Sequence, residues 1–512
     1  MKKSIHDRLS NRKRRIAQRL QRRNILVERD RPVFSGNRIA YQVAERGRGI
    51  AAGGIGAMQL LVKTIGLAER IDERVHVLKR HLPYHESDHV LNIAFNILAG
   101  GTRIEHIELR RNDEVFLDAM GVVSIPDPTT AGDFCRRFKP AQIEALMDAV
   151  NECRLKVWQQ QPEEFFEEAV IDADGSIVET TGECKQGIDI SYNGKWGYHP
   201  LLISLANTCE PLFLFNRSAN RPSHEGAAGY FDRAAALCRR AGFRKITLRG
   251  DTDFTQTKEL DRWDTEGVGF LFGADANLNV RLEAQLLENT AWEELERPAK
   301  YTVKTEPRSR PTNVKEQIVR RRHFKNIRLI SEDVAEFDYS PSACKKTYRM
   351  IVVRKNLSVL MGAAVLFPDE RYFFYLTNDW ETPADRLVLK ANARCHQEKL
   401  IEQLKNEVYA LRAPLDTLAS NWAYMVMASL AWTLKVWSAL LLPETGRWQQ
   451  KHRRDKQTVL KMEFSTFCNA FVQLPCQIVS TGGRLIYRLL SWNPWQHVFL
   501  RMIERLHGRL LC

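Results

Sequence analysis

The chain has 512 residues, 44% of them hydrophobic and 27% charged, which excludes wholesale disorder and leaves room for about two to four domains. Lys and Arg number 76 against 62 Asp and Glu, a net charge of +14. A basic surplus of this size suits a polyanionic partner, nucleic acid or an anionic membrane, and says nothing about fold. Ten cysteines are scattered, with Cys468 and Cys476 the closest pair and no C-x-x-C. That excludes a disulfide scaffold and a zinc ribbon, and fits a reducing cytoplasm.

Met1 to Leu20 lacks the apolar core of a signal peptide. Residues 1–32 read as a basic arm. Its first 30 residues carry eleven Lys and Arg against three acids, and Arg14 and Arg15 sit where the charge is densest. Such a tail is expected to contact phosphates, releasing counterions as it does so. Residues 50–160 have helical periodicity. Ser87 is the expected cap of a helix through Val90, Ile93, Ala94 and Leu98, which Gly100 and Gly101 end. With Arg103, Arg110 and Arg111 nearby, this region has the make-up of a DNA-binding helix-turn-helix, although such helices are more often plain bundle packing.

From residue 165 the period changes. Ala169 to Val178, Leu201 to Ala206 and Pro211 to Phe215 read as strands, Glu225 to Arg240 as a helix, and Lys245 to Leu248 and Gly267 to Phe272 as strands again. That is a mixed α/β sheet over 165–288. Residues 289–370 hold five prolines and short β-like runs, and read as a β-rich insertion, basic around Arg320, Arg321 and Arg322. Residues 371–442 return to the sheet and to helix, and 443–512 read as basic and helical. Leu418 to Leu442 is apolar, but Asn421 and Lys435 interrupt it, so a buried helix is expected and not a membrane span. Trp422, Trp432 and Trp437 are expected in the core. Trp380 is expected there too, in preference to stacking on an unpaired base.

Three carboxylates stand out. Asp174 lies on the first strand before Gly175, with Asp172 on the same face by the period-two rule. Asp251 ends the fourth strand after Gly250. Open α/β sheets place ligands at strand ends, and strand-end aspartates suit a divalent cation. The third, Glu398, lies on a helix that Thr382 is expected to cap, with Pro383 at its first position. At about 100° per residue, Glu398 and Lys405 fall within roughly 40° of Arg394, so the three share a face. Alone, Arg394 and Glu398 would read as an i,i+4 ion pair.

Together these motifs resemble the DDE transposases of bacterial insertion sequences, in the group-one branch with a β-rich insertion between the second and third acids. The resemblance spans roughly residues 85 to 440. Asp174-Gly175-Ser176 matches the first-strand motif, Arg249-Gly250-Asp251 the fourth-strand motif, and Arg394, Glu398 and Lys405 the helical pattern Y-x2-R-x3-E-x6-K, with Ala391 in place of tyrosine. Trp196 to Leu201 and Pro126 to Thr130 also look like family motifs.

The resemblance implies a ribonuclease-H-like α/β fold, its mixed sheet interrupted by the β-rich insertion and flanked by N-terminal and C-terminal helical regions. It implies Asp174, Asp251 and Glu398 as catalytic metal ligands, with Asp172 as the alternative first acid. Two Mg2+ ions, or Mn2+ in their place, would serve phosphoryl transfer: nicking at the element ends, then strand transfer by a 3′-hydroxyl. Arg394, Lys405, Arg320, Arg321, Arg322, Arg14 and Arg15 are the expected DNA contacts, with Arg394 also favouring the ionised Glu398. The expected partners are double-stranded DNA (terminal inverted repeats and target) and a second copy of the chain, in the cytoplasm, with no membrane. A metal-dependent nuclease of the same fold and a non-catalytic DNA-binding relative are the competing readings.

Overall fold

Continuous apolar runs, buried on both faces, are what a central sheet requires. Leu201–Leu205, Glu210–Phe215 and Gly269–Ala274 are of this kind. The computed structural model describes residues 3–23, 49–80, 83–298, 317–318, 321–322, 325–361, 364–482 and 484–507. The chain divides into two units, one of residues 163–177 and 189–401, the other of residues 1–162, 178–188 and 402–512.

The first of these units is built on β1 (Glu168–Gly175), β2 (Leu201–Leu205), β3 (Glu210–Phe215), α1 (Ala227–Ala241), β4 (Lys245–Gly250) and β5 (Gly269–Ala274). Their order in the sheet is β3-β2-β1-β4-β5. β1 runs antiparallel to β2 and parallel to β4, and β4 runs parallel to β5. This is the mixed ribonuclease-H-like arrangement. Beyond β5 the sheet continues through β8 (Ala364–Thr377), β7 (Tyr348–Met361), β6 (Lys325–Tyr339) and the short strand Glu293–Glu294, nine strands in all. The short β-like runs expected between 289 and 370 are therefore parts of antiparallel strands 14 and 15 residues long, hydrogen-bonded into the same sheet.

Successive strand residues face opposite sides, so each side of the sheet takes its own helix. Leu271 joins Val334, Ile351 and Val353 beneath Leu387 and Val388 of α2 (Ala384–Asn392). Its neighbour Phe272 meets Phe231 of α1 on the other side, with ring centroids 5.9 Å apart.

The other unit is helical around Leu418–Leu440, which is buried from Ser420 to Leu440 and packs against Glu86–Leu98 and Pro140–Trp158. Lys435 is enclosed, and its ammonium donates to the Leu460 carbonyl at 2.6 Å and lies 4.3 Å from the Trp432 ring centroid. A buried charge is tolerated when paired in this way. No described helix is long and apolar enough to cross a membrane. Ser87 does not cap its helix. His85 takes the cap position, and the Ser87 hydroxyl donates to Asp72 at 2.9 Å. The described part of the basic arm is a helix, Lys3–Arg23. The C-terminal region is not helical throughout, because Cys476–Thr481 and Arg484–Leu489 pair as an antiparallel hairpin.

Candidate active site

Asp172 and Asp174 share β1, and their surroundings separate them. Parallel pairing places Asp172 opposite Arg249 of β4. The Arg249 Nε and Nη2 donate to its two oxygens at 2.6 and 2.7 Å, with both side chains buried. Burial pushes the Asp172 carboxyl up and the Arg249 guanidinium pulls it down. The third guanidinium nitrogen, Nη1, donates to the Lys390 carbonyl, which ties α2 to the sheet. A carboxylate accepting both arms of a guanidinium has little left for another ligand.

Asp174 lies two residues nearer the strand end, and its side chain is 17% exposed. Gly175 follows because no side chain fits there: a Cβ would stand 2.4 Å from Nε2 of His199. His199 is buried and held, its Nδ1 3.1 Å from the Arg221 carbonyl. On the neighbouring strand Asp251 follows Gly250, where a Cβ would stand 2.5 Å from Phe254 Cβ. An Asp251 oxygen accepts from the Asp253 amide at 3.1 Å, which opens a 3-10 turn, Thr252–Phe254.

The third acid comes from a broken helix. The single helix expected from Pro383 is two: α2 ends at Asn392 and α3 spans Cys395–Asn406. Thr382 does not cap α2. Pro383 is at the cap position, and the Thr382 hydroxyl and amide both donate to Asp379. At the break, Arg394 and Gln397 amides donate to the Ala391 and Arg394 carbonyls, i to i−3 bonds that tighten the chain. Glu398 falls in the first turn of α3 and is exposed. A negative charge there is favoured by the helix dipole. Gln397 beside it is buried. Its Nε2 donates to the Leu202 carbonyl at 3.2 Å, and its Oε1 accepts from Ser204, which pins the start of α3 to β2.

The break also decides where Arg394 points. Its guanidinium pairs with Asp174 and with Asp251, each at 3.3 Å, and not with Glu398. Burial lifts the Asp174 carboxyl to about 6, Arg394 opposes this, and the charges of Asp251 and Glu398 add to the lift. Burial also raises Asp251, again against Arg394. Asp251 and Glu398 thus both bear on Asp174, and carboxylates are the oxygen donors a hard divalent cation takes. Among the described residues, however, no three His, Cys, Asp or Glu side chains are gathered closely enough to hold an ion. The positive charge at Asp174 and Asp251 is the guanidinium of Arg394.

Of the expected DNA contacts, Arg14 and Arg15 are exposed on helix Lys3–Arg23, whose Arg12 donates to the Leu489 and Ser491 carbonyls. Arg321 and Arg322 are exposed, and Arg320 lies outside the described residues. Lys405 is half-buried at the last turn of α3. Trp380 is 53% exposed, against the expectation of a core position, while Trp422, Trp432 and Trp437 are buried.

Strand order, with parallel β1 and β4 at the centre of a mixed sheet and helices on both sides, defines a ribonuclease-H-like fold, and acids lie near the end of β1, just past β4 and on a following helix. The Transposase DDE domain group 1 family matches residues 36–509, and the chain belongs to that family. A solved structure, described as a piggyBac transposase synaptic complex with hairpin DNA, resembles the chain at 9% identity and a TM-score of 0.36, covering 83% of this chain and 84% of that one. No curated protein matches.

Proposed function

We propose that this protein is the transposase of a bacterial insertion sequence, cutting DNA at the element ends and joining them to a target. The observation that carries this reading is Asp174 and Asp251 at the ends of adjacent parallel strands, bridged by Arg394, with Glu398 in the first turn of the helix that follows Arg394. In the first step water attacks the scissile phosphorus, and the bond to the 3′-oxygen breaks, leaving a 3′-hydroxyl and a 5′-phosphate. In the second that hydroxyl attacks a target phosphorus as the target's own 3′-oxygen leaves. Phosphodiester bonds are exchanged one for one in this step, so no nucleotide cofactor is needed.

Asp174, Asp251 and Glu398 are the residues that would hold divalent cations, Mg2+ or Mn2+. When bound, such ions supply Lewis acidity to the attacking and leaving oxygens. Asp172 has a different role: paired to Arg249, it fixes β1 against β4 and so sets Asp174 beside Asp251. Gln397 holds the start of α3 and thereby Glu398. Lys405, Arg14, Arg15, Arg321 and Arg322 contact DNA phosphates, with two copies of the chain pairing the two element ends in the cytoplasm.

The test is a supercoiled plasmid carrying paired element ends, incubated with protein and Mg2+. Joined products are expected, and Asp174→Asn, Asp251→Asn or Glu398→Gln should abolish them while end binding persists. Cuts without joining would point to a nuclease, and no cleavage at all to a DNA-binding relative.

A further inference from the structure

Two carboxylates at the ends of neighbouring strands repel each other, and the more buried one, Asp174, has little water to screen it. A positive group placed there offsets that repulsion when no metal is bound. Arg394 does so by construction. The tight i to i−3 turns between α2 and α3 take it out of regular helix, and α2 and α3 on either side are tied down, α2 through the Lys390 carbonyl to Arg249 and α3 through Gln397 to β2. Its guanidinium is mostly buried and lies 3.3 Å from an oxygen of each aspartate. A planar, weakly hydrated guanidinium lays a separate arm on each carboxylate, a fixed fork that the compact, strongly hydrated ammonium of a lysine does not reproduce.

We propose that Arg394 is a built-in counter-ion that competes with divalent cations for the Asp174–Asp251 pair while no DNA is bound. The inference rests on the reading of those two aspartates as ion ligands. A divalent ion needs the same oxygens that Arg394 occupies, so its apparent affinity is reduced by the fraction of time the arginine is in place. A DNA phosphate offers the guanidinium an equally good partner. DNA that draws Arg394 away frees the aspartates, so DNA and metal each strengthen the binding of the other. The protein would thereby load its metal where substrate is present and stay silent elsewhere.

Mn2+ titrated calorimetrically into the DNA-free, full-length protein tests this directly. Arg394→Gln is expected to bind Mn2+ about fivefold to tenfold tighter than the parent, the equivalent of one partly buried ion pair. Arg394→Lys keeps the charge but loses the two-armed fork, and should fall between the two. Should Arg394→Gln fail to fold, the lysine variant decides alone: tighter binding than the parent supports the proposal, equal or weaker binding overturns it. Equal or weaker binding by a folded Arg394→Gln overturns it as well. The double variant Asp174→Asn/Asp251→Asn separates the two levels of the argument. If it binds Mn2+ as the parent does, the ligand reading itself is wrong. If it loses the ion while the Arg394 variants match the parent, only the role of Arg394 is wrong.

Discussion

Asp172 and Arg249 face each other across parallel strands and form a two-bonded ion pair with almost no solvent exposure. Removing one partner strands the other charge in the sheet. Asp172→Ala or Arg249→Ala should lower stability by about 3–5 kcal/mol, read by urea denaturation. Loss of cleavage in Asp172→Ala would then accompany loss of fold. An Asp172→Ala protein of parent stability would show the pair to be idle.

Asp174 should behave in the opposite sense. Burial, with Asp251 and Glu398, raises its carboxyl further than Arg394 lowers it. Asp174→Asn removes a buried charge and keeps the shape, so in chelator at pH 7 it should melt at or above the parent temperature while cleavage is lost. A fall of several degrees would contradict this. Active sites commonly trade stability for function in this way.

Gly175→Ala places a methyl group 2.4 Å from a His199 nitrogen. His199 is buried and fixed, so the strand end must shift. A loss of about 1–3 kcal/mol is expected, as for other overpacked sites, with a larger proportional loss of cleavage because Asp174 is the adjacent residue. Differential scanning calorimetry and a single-turnover nicking assay measure the two effects.

Gln397→Ala unpins α3 from Leu202 and Ser204. Glu398 is retained but no longer held. The nicking rate should drop about tenfold or more at saturating DNA, by analogy with the loss of other groups that orient a metal ligand, while DNA affinity stays near that of the parent. A drop in affinity with an unchanged rate would refute the positioning role.

In the helical unit, His89 is buried and stacked on Phe134 with ring centroids 4.3 Å apart. Burial lowers its imidazole to about 4 from the ordinary 6.5. The folded protein keeps it neutral while the unfolded chain takes up a proton below about 6.5, so its contribution is intact above that pH and is lost as pH falls toward 4. The loss is about 1.4 kcal/mol per unit across that window. Urea denaturation at pH 7.5, 6 and 5 should show it, and His89→Leu should flatten the profile.

The candidate site residues were readable one at a time. Strand-end aspartates followed or preceded by glycine, and the spacing of Arg394, Glu398 and Lys405, depend on local pattern alone. The division of labour between Asp172 and Asp174 did not, because period two puts both on one face. Only the partner strand distinguishes them, and Arg249 becomes a partner through register. The continuous helix expected from residue 383 failed for a related reason. Nothing in Ala391 to Cys395 breaks a helix by propensity, and the break is set by what the residues on either side must reach. The strands between residues 325 and 377 looked short because charged residues interrupt their apolar runs, yet they pair along 14 or 15 residues each.

The amino-acid order by itself determined the α/β class and the family pattern and singled out the candidate acids, since these rest on periodicity and spacing along the chain. Tertiary structure alone decided which aspartate is spent on an internal ion pair and where the Arg394 charge goes. Those outcomes depend on contacts between residues 77 to 220 positions apart, which only the paired strands and the pinned helix bring within reach.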